Sequence, residues 1–190
     1  MTMRLFAFVL TLAFSLTPLC SYSWAGTAEI IGPELKFQDN QLHVTATLSL
    51  SEKSLQELRN GVAKELRFNI DLFRVWNMWP DEYVGGKFFV RSLKSDPVTL
   101  QYKATSNDGT TVIQKKFKSF ESMLQWALFI NDVKLANIRD LEPGNYFIRV
   151  TVQSMIRKLP PVIGYFMIFL PEKEFEIRKD SSDFAVGTQK

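Results

Sequence analysis

One cysteine and one histidine are all that these 190 residues hold of the two side chains that most often do covalent, redox or metal chemistry. Cys20 follows the first apolar stretch and precedes a small-residue site suited to cleavage at Gly26, so the processed chain is expected to have no thiol at all. That excludes a disulfide framework, a thiolate metal site and a cysteine nucleophile. His43 sits on the polar face of a regularly alternating strand, with no glycine-flanked serine elbow anywhere, so a Ser-His catalytic arrangement has no base to build on. It reads as a surface residue. Charge of one sign is lacking too: 23 basic side chains face 20 acidic ones, interspersed, which leaves no nucleic-acid footprint. No phosphate loop is present, because Gly85-Gly86-Lys87 opens a strand rather than a helix and reads as a bulge or turn.

Long hydrophobic runs are also missing. The uncharged stretch from Leu5 to Leu16 follows a short basic start at Arg4 and breaks at Pro18, well short of the ~20 residues a spanning helix needs. With Ser23 and Ala25 before Gly26, residues 1–25 read as a secretory signal peptide. Cys20 does not read as a lipidation site, since the residue before it is the bulky Leu19. The remainder is expected to be a single β-rich domain over residues 26–178, followed by a loose tail over 179–190. Such a length buries roughly 70% of the unfolded surface, enough for a core without staples.

What the chain does have is period-two patterning. Leu66, Phe68, Ile70 and Leu72 alternate with Glu65, Arg67, Asn69 and Asp71, which predicts a half-buried antiparallel strand. At Phe73 the phase flips, as a β-bulge or a doubly covered region requires. Residues 34–38 and 41–50 flank Asp39-Asn40, a pair that tolerates the positive φ of a two-residue hairpin turn. Further strands are predicted at 87–93, 98–104, 111–117, 133–138, 146–152 and 174–177, with Asn107-Asp108-Gly109 as a turn. Two short helices interrupt them. The first is capped by Ser51 or by Ser54 with Glu57 as a capping box, and stops at Asn60-Gly61. The second follows Ser119 and carries Phe120, Met123, Leu124, Ala127 and Leu128 on one stripe, widened by Trp126 and Ile130. The Leu141-x-Pro143-Gly144-x-Tyr146 corner resembles the entry to the penultimate strand of immunoglobulin-like sandwiches, where a tyrosine hydroxyl bonds back to the preceding turn. The expected fold is a mainly β, antiparallel β-sandwich, immunoglobulin-like in style, with two capping helices.

Gly61-Val62, the strand to Arg74 and Trp79, Ser119-Phe120 opening a helix with Ala127-Leu128, and Gly144-x-Tyr146 together resemble a bacterial exported family known as domain of unknown function 4390. Leu159-Pro160-Pro161, the apolar run after it and Glu174-Phe175-Glu176 are similar to members of that family as well. The resemblance covers most of residues 30–178. It implies a Gram-negative envelope protein without an assigned activity and supplies no catalytic residues.

The functional expectation is a non-enzymatic periplasmic domain, with no cofactor, that binds an envelope protein or the membrane surface. Its candidate contact is the uncharged run 162–170, with Tyr165, Phe166, Met167 and Phe169. The alternative is a carrier or sensor of a small apolar molecule, with Trp76 and Trp79 lining a pocket; a closed apolar cavity favours that reading, a convex patch favours docking. Arg74, Trp76 and Trp79 form a candidate cation–π group. The acidic residues Asp81-Glu82 and Glu172, Glu174 and Glu176 read as solvated surface charge rather than a metal site, and Lys115, Lys116 and Lys118 as a short basic cluster beside Phe117.

Overall fold

Strand β3 (Lys64–Arg74) has a partner along its whole length on each side, which makes it the centre of the larger of two antiparallel sheets. The computed structural model describes residues 26–157 and 171–187. Leu66, Phe68, Ile70 and Leu72 of β3 are between 0 and 1% exposed, while Glu65, Arg67, Asn69 and Asp71 are half-buried on the opposite face, as the alternation predicts. Its neighbours are β4 (Glu82–Asp96) and β8 (Gly144–Arg157). Beyond β4 lie β5 (Gln101–Asn107) and β6 (Val112–Phe117); β9 (Pro171–Asp180) and β10 (Phe184–Val186) pair in succession along the far side of β8. The phase flip expected at Leu72–Phe73 does not occur in β3, whose register with β8 runs unbroken to Arg74; the irregularity there belongs to β4, where Val84 is the extra residue between Tyr83 and Gly85. Gly86 stands beside the slip because a Cβ there would come 2.9 Å from the Ile70 carbonyl and strike the Asp71 carboxylate.

The second sheet has three strands, in the order β1 (Glu29–Gln38), β2 (Gln41–Ser49) and β7 (Phe129–Asn137). Asp39 and Asn40 take φ of 51° and 60°, the two positive values that let the β1–β2 turn match the twist of its strands. Leu42, Val44, Ala46 and Leu48 of β2 are at most 2% exposed, and they face the inner side chains of β3 and β8. The result is a β-sandwich, with the small sheet lying over β9, β8 and part of β4.

Both helices close this second layer. α1 (Glu52–Arg59) is capped by Ser51, whose hydroxyl accepts the Ser54 N–H at 3.2 Å; Ser54 is thus the third residue of the helix and not its cap. Its end is set by Gly61 at φ 92°, with Val62 N–H reaching Glu57 O and Gly61 N–H reaching Leu58 O, the paired bonds of a Schellman stop. α2 (Phe120–Leu128) turns Phe120, Met123 and Ala127 onto β4, β5 and β6. Arg91 of β4 points into that same space. Its Nη1 donates to Trp126 O, Ala127 O and Phe129 O at 3.1, 2.9 and 2.8 Å, so a half-buried cation satisfies the open carbonyls and negative dipole end of α2. Burial pushes its pKa down to about 10, and the faces of Phe89 and Trp126, 4.9 and 5.4 Å away, supply the rest of its surroundings.

Several expectations shift by a few residues. β4 is longer than 87–93 and β5 starts three residues late, because Asp96 Oδ1 accepts the N–H groups of Val98 and Thr99 and holds 97–100 as a turn. Of the loose tail expected over 179–190, the described residues 179–187 are ordered into the sheet: β9 continues to Asp180, Ser181 N–H bonds Ile148 O at 2.8 Å, and β10 pairs with Gly144–Tyr146. Val186, only 6% exposed, explains the difference, since one apolar residue beyond a polar stretch finds a place in the core.

Candidate functional site

The β3–β4 connection, residues 75–81, is where the sandwich presents the largest apolar side chains to solvent. Met78 is 91% exposed and Trp79 76%, with Trp76, Tyr83 and Val84 partly exposed beside them. A hydrophobic tip of this kind usually signals a contact surface, since single exposed residues are common but clustered large ones are not.

The tip is pinned from below. Tyr146 donates its hydroxyl to Glu142 O at 2.7 Å, the back-bond expected of the tyrosine corner, and that fixes the turn ahead of β8. Burial raises the Tyr146 pKa, and the nearby Arg74 guanidinium opposes the rise. Arg74 grips the same turn from the other side, donating from Nη1 to Glu142 Oε2 at 2.5 Å and from Nη2 to Pro143 O at 2.9 Å. Its Cζ lies 4.8 Å from the Trp76 ring, and the Trp76 indole N–H donates to Glu82 Oε2 at 3.2 Å. Val75 N–H bonds Asn145 O at 2.8 Å. Arg74 and Trp76 therefore form the cation–π pair anticipated from sequence, whereas Trp79 stands apart from it in solvent. On the outer face of the large sheet, Phe73 stacks on Phe147 and meets Tyr83 edge-on, and Arg149, paired with Asp180, covers both phenyl rings at 5.1 and 5.2 Å. This explains the apolar Phe73 on an outward face. Near it, burial raises the Asp71 pKa against the pull of Arg149.

Around the tip the carboxylates Asp81, Glu82 and Glu142 are exposed; Arg74 pairs with Glu82 and Glu142, and the Arg149 charge acts on Asp81. Met78 and Glu142 were not singled out from sequence, and Asp81-Glu82 was read there only as solvated surface charge. Met78 was visible as an apolar residue between two tryptophans, but the approach of Glu142 depends on pairing β3 with β8.

Tyr165, Phe166, Met167 and Phe169 lie outside the described residues; their stretch joins Arg157 to Pro171, which pair with each other across β8 and β9. His43 Nδ1 lies 3.0 Å from Asp132 Oδ1 on the other sheet, remote from the tip. Among the described residues no group of three or more His, Cys, Asp or Glu is placed to hold a metal ion, and no helix is long and apolar enough to cross a membrane.

Glu174 departs from the solvated role expected of it. The register slip in β9 between Lys173 and Phe175 turns it inward. It accepts hydrogen bonds from Lys64 Nζ at 2.8 Å, Ser54 Oγ at 2.5 Å and Ser154 Oγ at 2.7 Å. Lys64, whose side chain is 0% exposed, also reaches Glu57 at 2.9 Å. Desolvation is the largest influence on Glu174 and acts upward, but the Lys64, Ser54 and Ser154 hydrogen bonds and the Lys64 charge together outweigh it and hold the carboxyl below its ordinary range. Every polar group here is satisfied internally, so the cluster reads as structure at the end of the sandwich opposite the tip.

Fold and tip together define a two-sheet β-sandwich that offers a pinned, convex aromatic turn. The chain belongs to the family described as domain of unknown function (DUF4390), whose model matches residues 25–182. No curated protein and no solved structure matches it.

Proposed function

We propose that this chain is a non-enzymatic binding module of the bacterial envelope that docks on a protein partner through the 75–81 turn. The observation that carries the reading is the exposure of Met78 and Trp79 on a turn whose base is fixed by Arg74, Glu142 and Tyr146. Large side chains on a turn held in advance lose little freedom on binding, and tryptophan is the residue most enriched at interface hot spots. The acidic rim of Asp81, Glu82 and Glu142 fits a partner surface carrying lysine or arginine. The carrier reading would need an enclosed apolar space. Its best support is a recess of about 300 Å³ between β2 and α2, lined by Leu48, Leu124, Leu128 and Phe129 and open to solvent.

Removing a central tryptophan from a docked interface typically costs ~2 kcal/mol or more, about thirtyfold in affinity. Trp79→Ala should therefore fold with an unchanged thermal midpoint and lose most partner capture from envelope extract, and raised salt should weaken the wild-type capture. Capture that survives both Trp79→Ala and Met78→Ser would overturn the assignment.

Location in the periplasm rests on the short apolar run and the small residues Ser23 and Ala25. Intact-mass measurement of periplasmic material should find a chain beginning at Gly26. A species keeping Met1, or acyl mass on Cys20, would count against release.

A further inference from the structure

At the opposite end of the large sheet, three lysines stand in one cross-strand row. Lys94 of β4 pairs directly with Lys103 of β5, and Lys103 with Lys116 of β6. Leu93 and Ala104, next to them in sequence, are each 1% exposed on the inner face, so alternation puts the lysines on the outer one. Directly opposed side chains in adjacent strands have Cβ atoms about 5 Å apart, and like charges in that relation oppose folding. No described residue forms a hydrogen bond or ion pair with any of the three ammonium groups. Of the carboxylates nearby, Asp96 caps the N–H groups of Val98 and Thr99 while also feeling the Lys94 charge, and Glu65 in the neighbouring row is bound to Arg67. Beside the row lies an open recess of about 280 Å³, edged by Lys94 and Lys103 together with Ser92, Thr105, Gln114 and the Glu65 carboxylate. Three ammonium groups without a hydrogen bond or ion pair outnumber the carboxylates of Glu65 and Asp96 beside them, and with the neutral hydrogen-bonding groups of Ser92, Thr105 and Gln114 they suit the oxygens of a phosphate.

A second feature at the same end says where that phosphate is held. The turn joining β4 to β5 projects Val98, 89% exposed, and Leu100, 69% exposed. Leu100 sits at φ 50°, a conformation that Gly or Asn would take at lower cost, on a turn locked by Asp96. A freely soluble phosphate compound needs the cations only. Protruding apolar side chains next to a row of ammonium groups match a bilayer surface, where headgroup phosphates and the acyl boundary lie one above the other. We infer that the Lys94–Lys103–Lys116 row and the Val98–Leu100 turn form a contact site for the phosphate headgroups of an anionic membrane. It is independent of the 75–81 turn, which lies at the far end of β4.

The test is flotation of the processed protein with phosphatidylglycerol–phosphatidylcholine vesicles, against phosphatidylcholine alone. Each lysine near an anionic surface contributes about fivefold to binding, so Lys94→Gln/Lys103→Gln/Lys116→Gln should weaken it about a hundredfold. Its thermal midpoint should hold or rise, because cross-strand repulsion is removed. Leu100→Asn should weaken binding severalfold and leave its salt dependence intact, and Trp79→Ala should bind vesicles like wild type. If the triple variant is misfolded, Lys103→Gln alone should show the fivefold loss. Vesicle binding unchanged by the lysine substitutions overturns the inference. So does lysine-dependent binding of inorganic pyrophosphate without vesicle binding, which would make the site one for a soluble phosphate compound.

Discussion

Lys64→Ala should destabilise the fold by about 3–5 kcal/mol, measured as a shift in urea midpoint, because it leaves Glu57 and Glu174 facing each other's charge without a cation. Breaking one partner of a buried pair is the costly operation; exchanging the whole pair for neutral groups is not. Lys64→Met combined with Glu174→Gln should accordingly recover most of the loss. The pH dependence follows from Glu174, whose folded pKa is below its ordinary value. Its contribution is complete above the unfolded carboxylate range, near pH 4.3, and disappears as pH falls further through the folded value. The stability gap between wild type and Glu174→Gln should therefore be constant around neutrality and narrow below about pH 4. A gap that widens in acid would mean that Glu174 is protonated in the folded protein.

Phe68→Ala should cost about 3–5 kcal/mol, as a core truncation in a site with little room to collapse, and Asn69→Ala should stay within about 0.5 kcal/mol. Phe68 is 0% exposed at the centre of β3, stacked on Phe89 at 5.0 Å, with the Arg91 guanidinium 5.5 Å from its ring. Truncation removes an aromatic wall from the chamber that holds that cation, so a loss at the upper end of the range is expected. Equal urea midpoints for the two variants would mean that the two faces of β3 are equally load-carrying, against the alternation.

The alternation of β3 and β2, the Asp39-Asn40 turn, the Gly61 stop and the tyrosine corner at Tyr146 are all readable along the chain. Each depends on residues a few positions apart, and side-chain period, φ preference and capping chemistry act over that distance. The two-sheet architecture followed from the number and spacing of such segments. Pairing Arg74 with Trp76 was within reach for the same reason, since they flank one strand end.

What remained hidden depends on register. Glu174 looked solvated because strict alternation places it outward; a one-residue slip in β9 turns it toward Lys64, 110 positions away. Arg91 appeared as a polar member of a strand, and only the seating of α2 above β4 gives its charge a set of carbonyls. The Lys94, Lys103 and Lys116 row exists because three strands align at one level, although Lys115-Lys116 was conspicuous in the sequence as a pair of neighbours that in fact point to opposite faces. Sequence by itself determined most of the strand segments and the local turns and caps that end them. Tertiary structure alone decided which charges are buried together, which are left facing one another and which aromatics reach solvent, because those outcomes depend on strand register between distant segments, and a slip of one residue reverses the face of every side chain beyond it.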